Sequence, residues 1–362
     1  MSTSLPVPNL LSRLGKIEDY FLNTWYEIRP QAIDNILEAT PIWAALKGMG
    51  TFKTQVGGEF ITRTIRYGTS TRKAIAKGDT LEMGEPELKT MASWKFRNVS
   101  AHVQRDLLDD RVNAGKLKIT DYVSERLTAA RDALSQGFEE DVMRQADMTE
   151  AAHKYTQSLC DIVPDYALLT GTCTYGGISR PLAAHYSNSG NGVYKPNTST
   201  ATNPWWGPLY MQFTTPMEVN LVSDMKKAYN SVHNNRTPPN LLLCDQDIFE
   251  LYEDFGLDKA QIVKDQTSKL VDLGFEVLRF KGKPLIWSPK VYTPTDGSTY
   301  HRIYMFNTND IEVVYDPQLW FAMGNWKDVP LQTARVAHII CTLDIICTQL
   351  RDQLLLTSET IS

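Results

Sequence analysis

Two carboxylates two positions apart, Asp245 and Asp247, and six histidines (His102, His153, His185, His233, His301 and His338) are the residues of this sequence best suited to moving protons or holding a metal ion. Paired carboxylates beside an imidazole such as that of His185 would suit a cytosolic hydrolase, one group taking a proton while another gives one. The histidines are scattered, however, and none has another ligand type at metal-binding spacing, so neither a metal nor a cofactor is expected. Asp245 lies between the apolar run Leu241 to Cys244 and the helically spaced Ile248, Leu251 and Tyr252, which makes helix capping its expected role. Tyr175-Gly176-Gly177 is too short to cradle a phosphate and reads as a turn into Ile178. The sequence has no P-loop, dinucleotide fingerprint, HExxH or GxSxG. No catalytic residue is therefore assigned, and a non-enzyme is expected.

Composition narrows the classes further. A net charge of -5, from 37 basic and 42 acidic residues, argues against a protein that grips nucleic acid through its phosphates. The N-terminal stretch MSTSLPVPNLLSRLGK lacks the charged, apolar and small-residue succession of a signal peptide, and no apolar run reaches membrane-spanning length. A cytosolic setting follows, in which Cys160, Cys173, Cys244, Cys341 and Cys347, odd in number and without a CxxC pair, read as buried reduced thiols. The sequons at Asn98, Asn197 and Asn235 carry no meaning there. Trp205 and Trp206, and Trp320, Phe321 and Trp326, could form a ligand platform but more often pack an interface.

Two long elements must position everything else. From Thr120 to Gln145 the apolar residues Val123, Leu127, Ala130, Leu134, Phe138 and Val142 recur at steps of three and four, predicting an amphipathic helix of roughly 40 Å with Thr120 as N-cap. From Arg335 to Leu350 strict alternation (Ala337, Ile339, Cys341, Leu343, Ile345, Cys347 against His338, Thr342, Asp344, Thr348) predicts a long half-buried strand. Their apolar faces match in kind and length, so the helix is expected to pack on this strand. Tyr166 to Phe280 reads as mixed α/β, with a polar surface loop from Ser187 to Asn203, a helix from Val219 to Val232 and a buried strand from Leu241 to Cys244. Strands are expected at Phe275 to Phe280, Leu285 to Trp287, Ile303 to Phe306 and Ile311 to Tyr315.

The first hundred residues contain parts with little core of their own. Prolines 6, 8, 30 and 41 break residues 1 to 52 into short helical pieces, an arm whose Ile33, Ile36 and Leu37 must dock elsewhere. Strand-like runs Glu59 to Tyr67 and Thr90 to Gln104 flank a polar tip and form a hairpin without a core of its own, which should lie on another surface. Its charges are segregated: Arg63, Arg66, Arg72, Lys73 and Lys77 come first, then Asp79, Glu82, Glu85 and Glu87. A solvated loop and a contact across a subunit boundary both fit that pattern.

The order of arm, charged hairpin, long helix, α/β insertion and return strand resembles the major capsid proteins of tailed bacteriophages, the Hong Kong 97-type fold. So do the stretches ILEATPIWAALKGMGTFKTQVGGEFI, TYGGISRP, NLLLCDQDIFELYE, LGFEVLRFKGKPLIWSP, IYMFNTNDIEVVYDP and ARVAHIICTLDIICTQLRDQLLLT. The resemblance implies an α+β fold: an N-terminal arm (1–51), an E-loop (52–93), a peripheral domain (94–165) with the long helix as spine, an axial domain (166–326) and the peripheral return strand (327–362). It implies self-assembly as hexamers and pentamers into an icosahedral head around double-stranded DNA, in the virion after assembly in the host cytoplasm. The E-loop charges Arg63 to Glu87 would then make intersubunit contacts. With no room ahead of the arm for a fused scaffolding domain, a separate scaffolding protein is expected, beside a portal and a decoration protein. An encapsulin-type compartment shares the same fold and is the nearest alternative.

Overall fold

The computed structural model describes residues 40–106, 122–146, 154–259, 278–291 and 300–361, apart from positions 71, 73, 81–83, 85, 86, 191, 234–236, 331, 359 and 360. Helix α1 (Pro41–Gly48) leads to β1 (Phe52–Thr54), the hairpin β2 (Phe60–Arg66) and β3 (Lys89–Lys95), then β4 (Arg97–Asp106) and helix α2 (Tyr122–Val142). A short helix α3 (Leu159–Ile162) precedes β5 (Thr174–Tyr175), β6 (Ile178–Ser179), β7 (Tyr186–Asn188), β8 (Val193–Pro196) and β9 (Leu209–Gln212). Then come α4 (Met217–His233), β10 (Leu241–Cys244), α5 (Gln246–Lys259), β11 (Leu278–Phe280), β12 (Lys283–Trp287), β13 (Arg302–Phe306) and β14 (Ile311–Tyr315). The chain closes with β15 (Ala322–Met323), β16 (Lys327–Asp328), β17 (Ala334–Cys347) and β18 (Leu354–Thr357).

The long return strand β17 is the axis of a six-stranded sheet. On one side it pairs antiparallel with β4, from Ala334 opposite Asp106 to Leu343 opposite Arg97. Along its other side lie β16, β15 and β14 in turn, and β1 adds to β14 in parallel. Helix α2 buries Ala130, Leu134, Phe138 and Val142, while Leu127 is half-buried. It lies nearest β4, and its buried residues share one core with Ile339, Cys341, Leu343 and Ile345 of β17, the packed platform that the matching apolar faces lead one to expect. The expected N-cap Thr120 lies outside the described residues.

Two expectations change. The strand is half-buried only as far as Ile340; from Cys341 to Cys347 both faces are buried, because the segment around α3 covers the second face. There Asp344, wholly buried, accepts the Gln157 amide at 2.8 Å. The run Thr90 to Gln104 is two strands in two different sheets, divided at Phe96. The hairpin β2–β3 lies on another surface, as expected, and that surface is its own chain, against which it buries Ile61, Ile65, Ala92 and Trp94.

Gly176 explains that seat. It and Gly177 form the tight turn of β5–β6 with φ of 59° and 74°, and the Gly176 carbonyl accepts the Ser93 amide at 3.0 Å. A Cβ at Gly176 would sit 2.8 Å from the Trp94 ring, so only glycine allows this approach.

The second sheet has eight strands in the order β11-β12-β10-β13-β18-β9-β8-β7. Helix α4 places Leu221, Met225, Ala228 and Val232 in its core at full burial, as their spacing predicts. Two corrections apply to its edges and centre. The polar stretch 187–203 is not simply a loop: it contributes β8 and most of β7, and Val193 is fully buried. Strand β18, expected with the return strand, lies instead between β13 and β9 in this sheet.

Candidate assembly surfaces

Helix α1 is held at its start from α2. Helix α1 begins at Pro41 and its flanking Thr40 makes no side-chain cap. The donors such a cap would satisfy go to Glu139 of α2, whose Oε1 accepts the Ile42 amide at 2.9 Å and Oε2 the Trp43 amide at 2.8 Å. Burial pushes the Glu139 carboxyl upward, opposed by those two bonds, by Ser288 and by the Lys290 charge. Sequence reasoning set Glu139 on the polar side of α2; a capless helix start at Thr40-Pro41 is the one signal that an acceptor must come from elsewhere. Next to it Phe138 stacks on Trp43 at 5.2 Å and on Trp320 at 6.0 Å. The arm residues Ile33, Ile36 and Leu37 lie outside the described residues.

The aromatic groups pack parts of the chain together, as weighed above, and do not line a ligand platform. Trp320 and Phe321 meet Phe138, and Trp326 packs at the margin of the same core. Trp206 is buried, its indole N–H donating to the Tyr175 carbonyl at 3.0 Å, and Trp205 stacks on Tyr67 at the hairpin at 4.8 Å.

The charge-segregated hairpin divides into two parts. Arg63 points to the body of its own chain, where its guanidinium makes bonds of 2.7 and 3.0 Å to Glu312, so it is committed within the subunit. Arg66, Arg72 and Lys77 are exposed, as are Asp79 and Glu87. Asp79 accepts the Ala76 amide at 2.8 Å in its own turn, and Glu87 accepts the Tyr67 hydroxyl at 3.0 Å. Lys73, Glu82 and Glu85 lie outside the described residues. On the hairpin's outer face Phe60 and Met91 are exposed, Met91 by 65%.

The candidate chemistry resolves into structure. Asp245 Oδ1 accepts the Ile248 amide at 3.2 Å, the cap expected, and Oδ2 lies 3.0 Å from His301 Nδ1. Asp247 stands 3.7 Å from the same nitrogen. The imidazole beside the carboxylates is thus His301 and not His185, whose Nδ1 accepts the Leu182 amide at 3.2 Å. All five cysteines are buried and unpaired, and burial pushes the Cys160 thiol up to about 12. Among the described residues no group of three or more His, Cys, Asp or Glu could hold a metal ion. A polar cavity of about 550 Å³, lined by Gln212, Thr214, Lys227, Asn230 and Ser231, opens beside the loop at Gly190 and Gly192.

No family model matches the chain, and no curated protein matches it in sequence. Solved structures do match in shape. The cyanophage A-1(L) capsid asymmetric unit aligns with a TM-score of 0.58 at 13% identity, over 90% of this chain and 94% of that one. The capsid of Myoviridae phage XM1 aligns at 0.54 and 8% identity, over 99% and 100%. The fold is the Hong Kong 97 type. The holo-SrpI encapsulin complex from Synechococcus elongatus PCC 7942 aligns at 0.51 and 10% identity, over 95% and 96%.

Proposed function

We infer that this chain is the major shell subunit of a tailed-bacteriophage head, which self-assembles as hexamers and pentamers into an icosahedral shell around double-stranded DNA. The observation that carries the reading is the extent of the match: two phage capsid subunits superpose on 90% and 99% of the chain and are themselves covered almost end to end. The matched structures are capsid subunits, which favours a structural protein over an enzyme. The acidic balance suits a container that holds DNA without gripping it.

Assembly then uses the parts that one subunit leaves open. The exposed charges Arg66, Arg72, Lys77, Asp79 and Glu87, together with Lys73, Glu82 and Glu85, meet opposite charges on a neighbour, and Phe60 and Met91 give that contact an apolar centre. The arm with Ile33, Ile36 and Leu37 continues from the Glu139-capped helix onto the platform or an adjacent subunit. A separate scaffolding protein, a portal and a decoration protein complete the head, which forms in the host cytoplasm.

The encapsulin match supports a second reading, a shell around protein cargo. Expressing the chain and examining it by size-exclusion chromatography and negative-stain electron microscopy tests both shells at once. Capsomers or closed particles are expected, and a small soluble oligomer under all conditions would refute a shell. Portal and terminase genes beside the coding sequence would decide for the phage head; a cargo enzyme gene would decide for the compartment.

A further inference from the structure

The sheet brings together two histidines far apart in sequence. His102 of β4 and His338 of β17 are direct partners in the antiparallel ladder. The backbone shows what kind of pair they form. The His338 carbonyl accepts the Gly324 amide at 2.8 Å, on the side of β17 away from β4. Within a strand the N–H and C=O of one residue point to the same side, so His338 makes no ladder bond to His102. In such a non-hydrogen-bonded pair the Cα atoms stand about 4.5 Å apart, with side chains adjacent on one face. Thr342 and Asn98, a pair of the same parity further along, show that closeness directly: the Thr342 hydroxyl donates to Asn98 Oδ1 at 2.7 Å.

Both histidines are exposed, and neither imidazole takes part in a hydrogen bond or ion pair among the described residues. Val99, Ala101 and Val103 face the opposite side of β4 and pack in the core, which leaves the histidine face open. Gly324 flanks His338 on its other side and has no side chain to crowd the ring. The adjoining positions on this face are Ser100, Gln104, Val336 and Ile340, none of them acidic, and Lys327 lies opposite Val336. Hard cations such as calcium and magnesium, which need carboxylate oxygens, find no ligands here. Two neutral imidazoles side by side suit borderline cations instead.

We propose that His102 and His338 form a two-imidazole chelate for one divalent transition-metal ion of the nickel, copper and zinc group, on the open face of the six-stranded sheet. The ion would tie β4 to β17 near the middle of their ten-residue ladder, and water would fill its remaining positions. Each shell subunit would carry one such site, although the chelate itself does not depend on assembly.

The test uses the full-length chain and Cu²⁺ alone, titrated against glycine as a weak competitor. One ion per chain is expected, with a paramagnetic resonance spectrum split by two imidazole nitrogens. His102→Thr and His338→Thr should each weaken binding by about tenfold or more, since one donor of the chelate is lost. Threonine keeps the preference for strand at these exposed positions, so both variants should fold. His185→Thr should bind as the unchanged protein does. Ni²⁺ should raise the melting temperature of the unchanged protein and of neither ladder variant, and the effect should fade below the pH at which imidazoles protonate. Unchanged affinity in both ladder variants, or a single-nitrogen spectrum in the unchanged protein, would overturn the proposal.

Discussion

Glu139→Ala is the substitution that best tests how α1 is anchored. Glu139 is 2% exposed and accepts the second and third amides of α1, at Ile42 and Trp43. Removing it strands one buried donor at Ile42, at about 1 to 3 kcal/mol, and one part-buried donor at Trp43, which costs less because water can reach it. Part of that is offset because the carboxylate is itself held in a costly site, as its raised pKa shows. A net loss of about 2 to 3 kcal/mol follows, close to the upper end for a lost cap. Glu139→Gln keeps one oxygen acceptor and should lose about half as much. The ionised form is the one burial penalises, so the native contribution of Glu139 is largest below its unfolded pKa and declines as pH rises through the folded value. The gap between the unchanged protein and Glu139→Gln should therefore narrow with rising pH. Urea unfolding of the unassembled subunit gives the energies, and amide exchange gives the location. Exchange at Ile42 and Trp43 should accelerate in Glu139→Ala while that in β10 and β13 stays slow. Unchanged protection at those two amides would refute the capping role.

Asp344, fully buried, has its carboxyl raised to about 8, chiefly by burial. Its folded pKa lies above the unfolded value, so stability from this group is full below about pH 4 and lost as pH approaches 8; the stability of Asp344→Asn relative to the native protein should rise steadily from pH 5 to pH 8 and level off above that in thermal unfolding. Gly176→Ala adds a methyl 2.8 Å from the Trp94 ring at a φ of 59°, and should destabilise the subunit by about 2 kcal/mol or more, with Trp94 fluorescence moving toward that of exposed indole. Reversing Arg66, Arg72, Lys73 and Lys77 together to glutamate, while leaving Arg63 on Glu312, should abolish particles in sedimentation and leave the subunit's unfolding midpoint within about 1 kcal/mol, because exposed charges contribute little to a fold. High salt should lower particle yield in the unchanged protein in the same assay, since such pairs are screened beyond a Debye length of about 8 Å.

Local periodicity made some of this structure legible and left the rest hidden. The steps of three and four in α2 and α4, and the alternation of β17 up to Ile340, reflect one apolar face against one polar face, and burial follows them. Beyond Ile340 alternation misleads, because Asp344 and Thr342 are polar residues hidden by α3, and a sequence pattern cannot show a cover supplied from elsewhere. Glu139 failed for the same reason: its partners are backbone amides of a distant helix. The hairpin charges were seen as a pattern, yet Arg63 differs from its neighbours only by parity, which turns it inward to Glu312. His102 and His338 could not be paired without the register of β4 on β17. The identity of the histidine beside Asp245 likewise depended on where β13 begins in space, not on spacing along the chain.

Strand β18 sits between β13 and β9, yet it leaves the ribosome after every other strand of its sheet. Without Leu354 to Thr357 the strand order divides into two sets, β11-β12-β10-β13 and β9-β8-β7, each with an unpaired inner edge. A nascent or prematurely ended chain therefore lacks the keystone that joins them. This threading makes the sheet's completion depend on nearly the whole chain: the two inner edges close only once residues 354–357 lie between them, and a copy that ends earlier keeps both edges open to other strands.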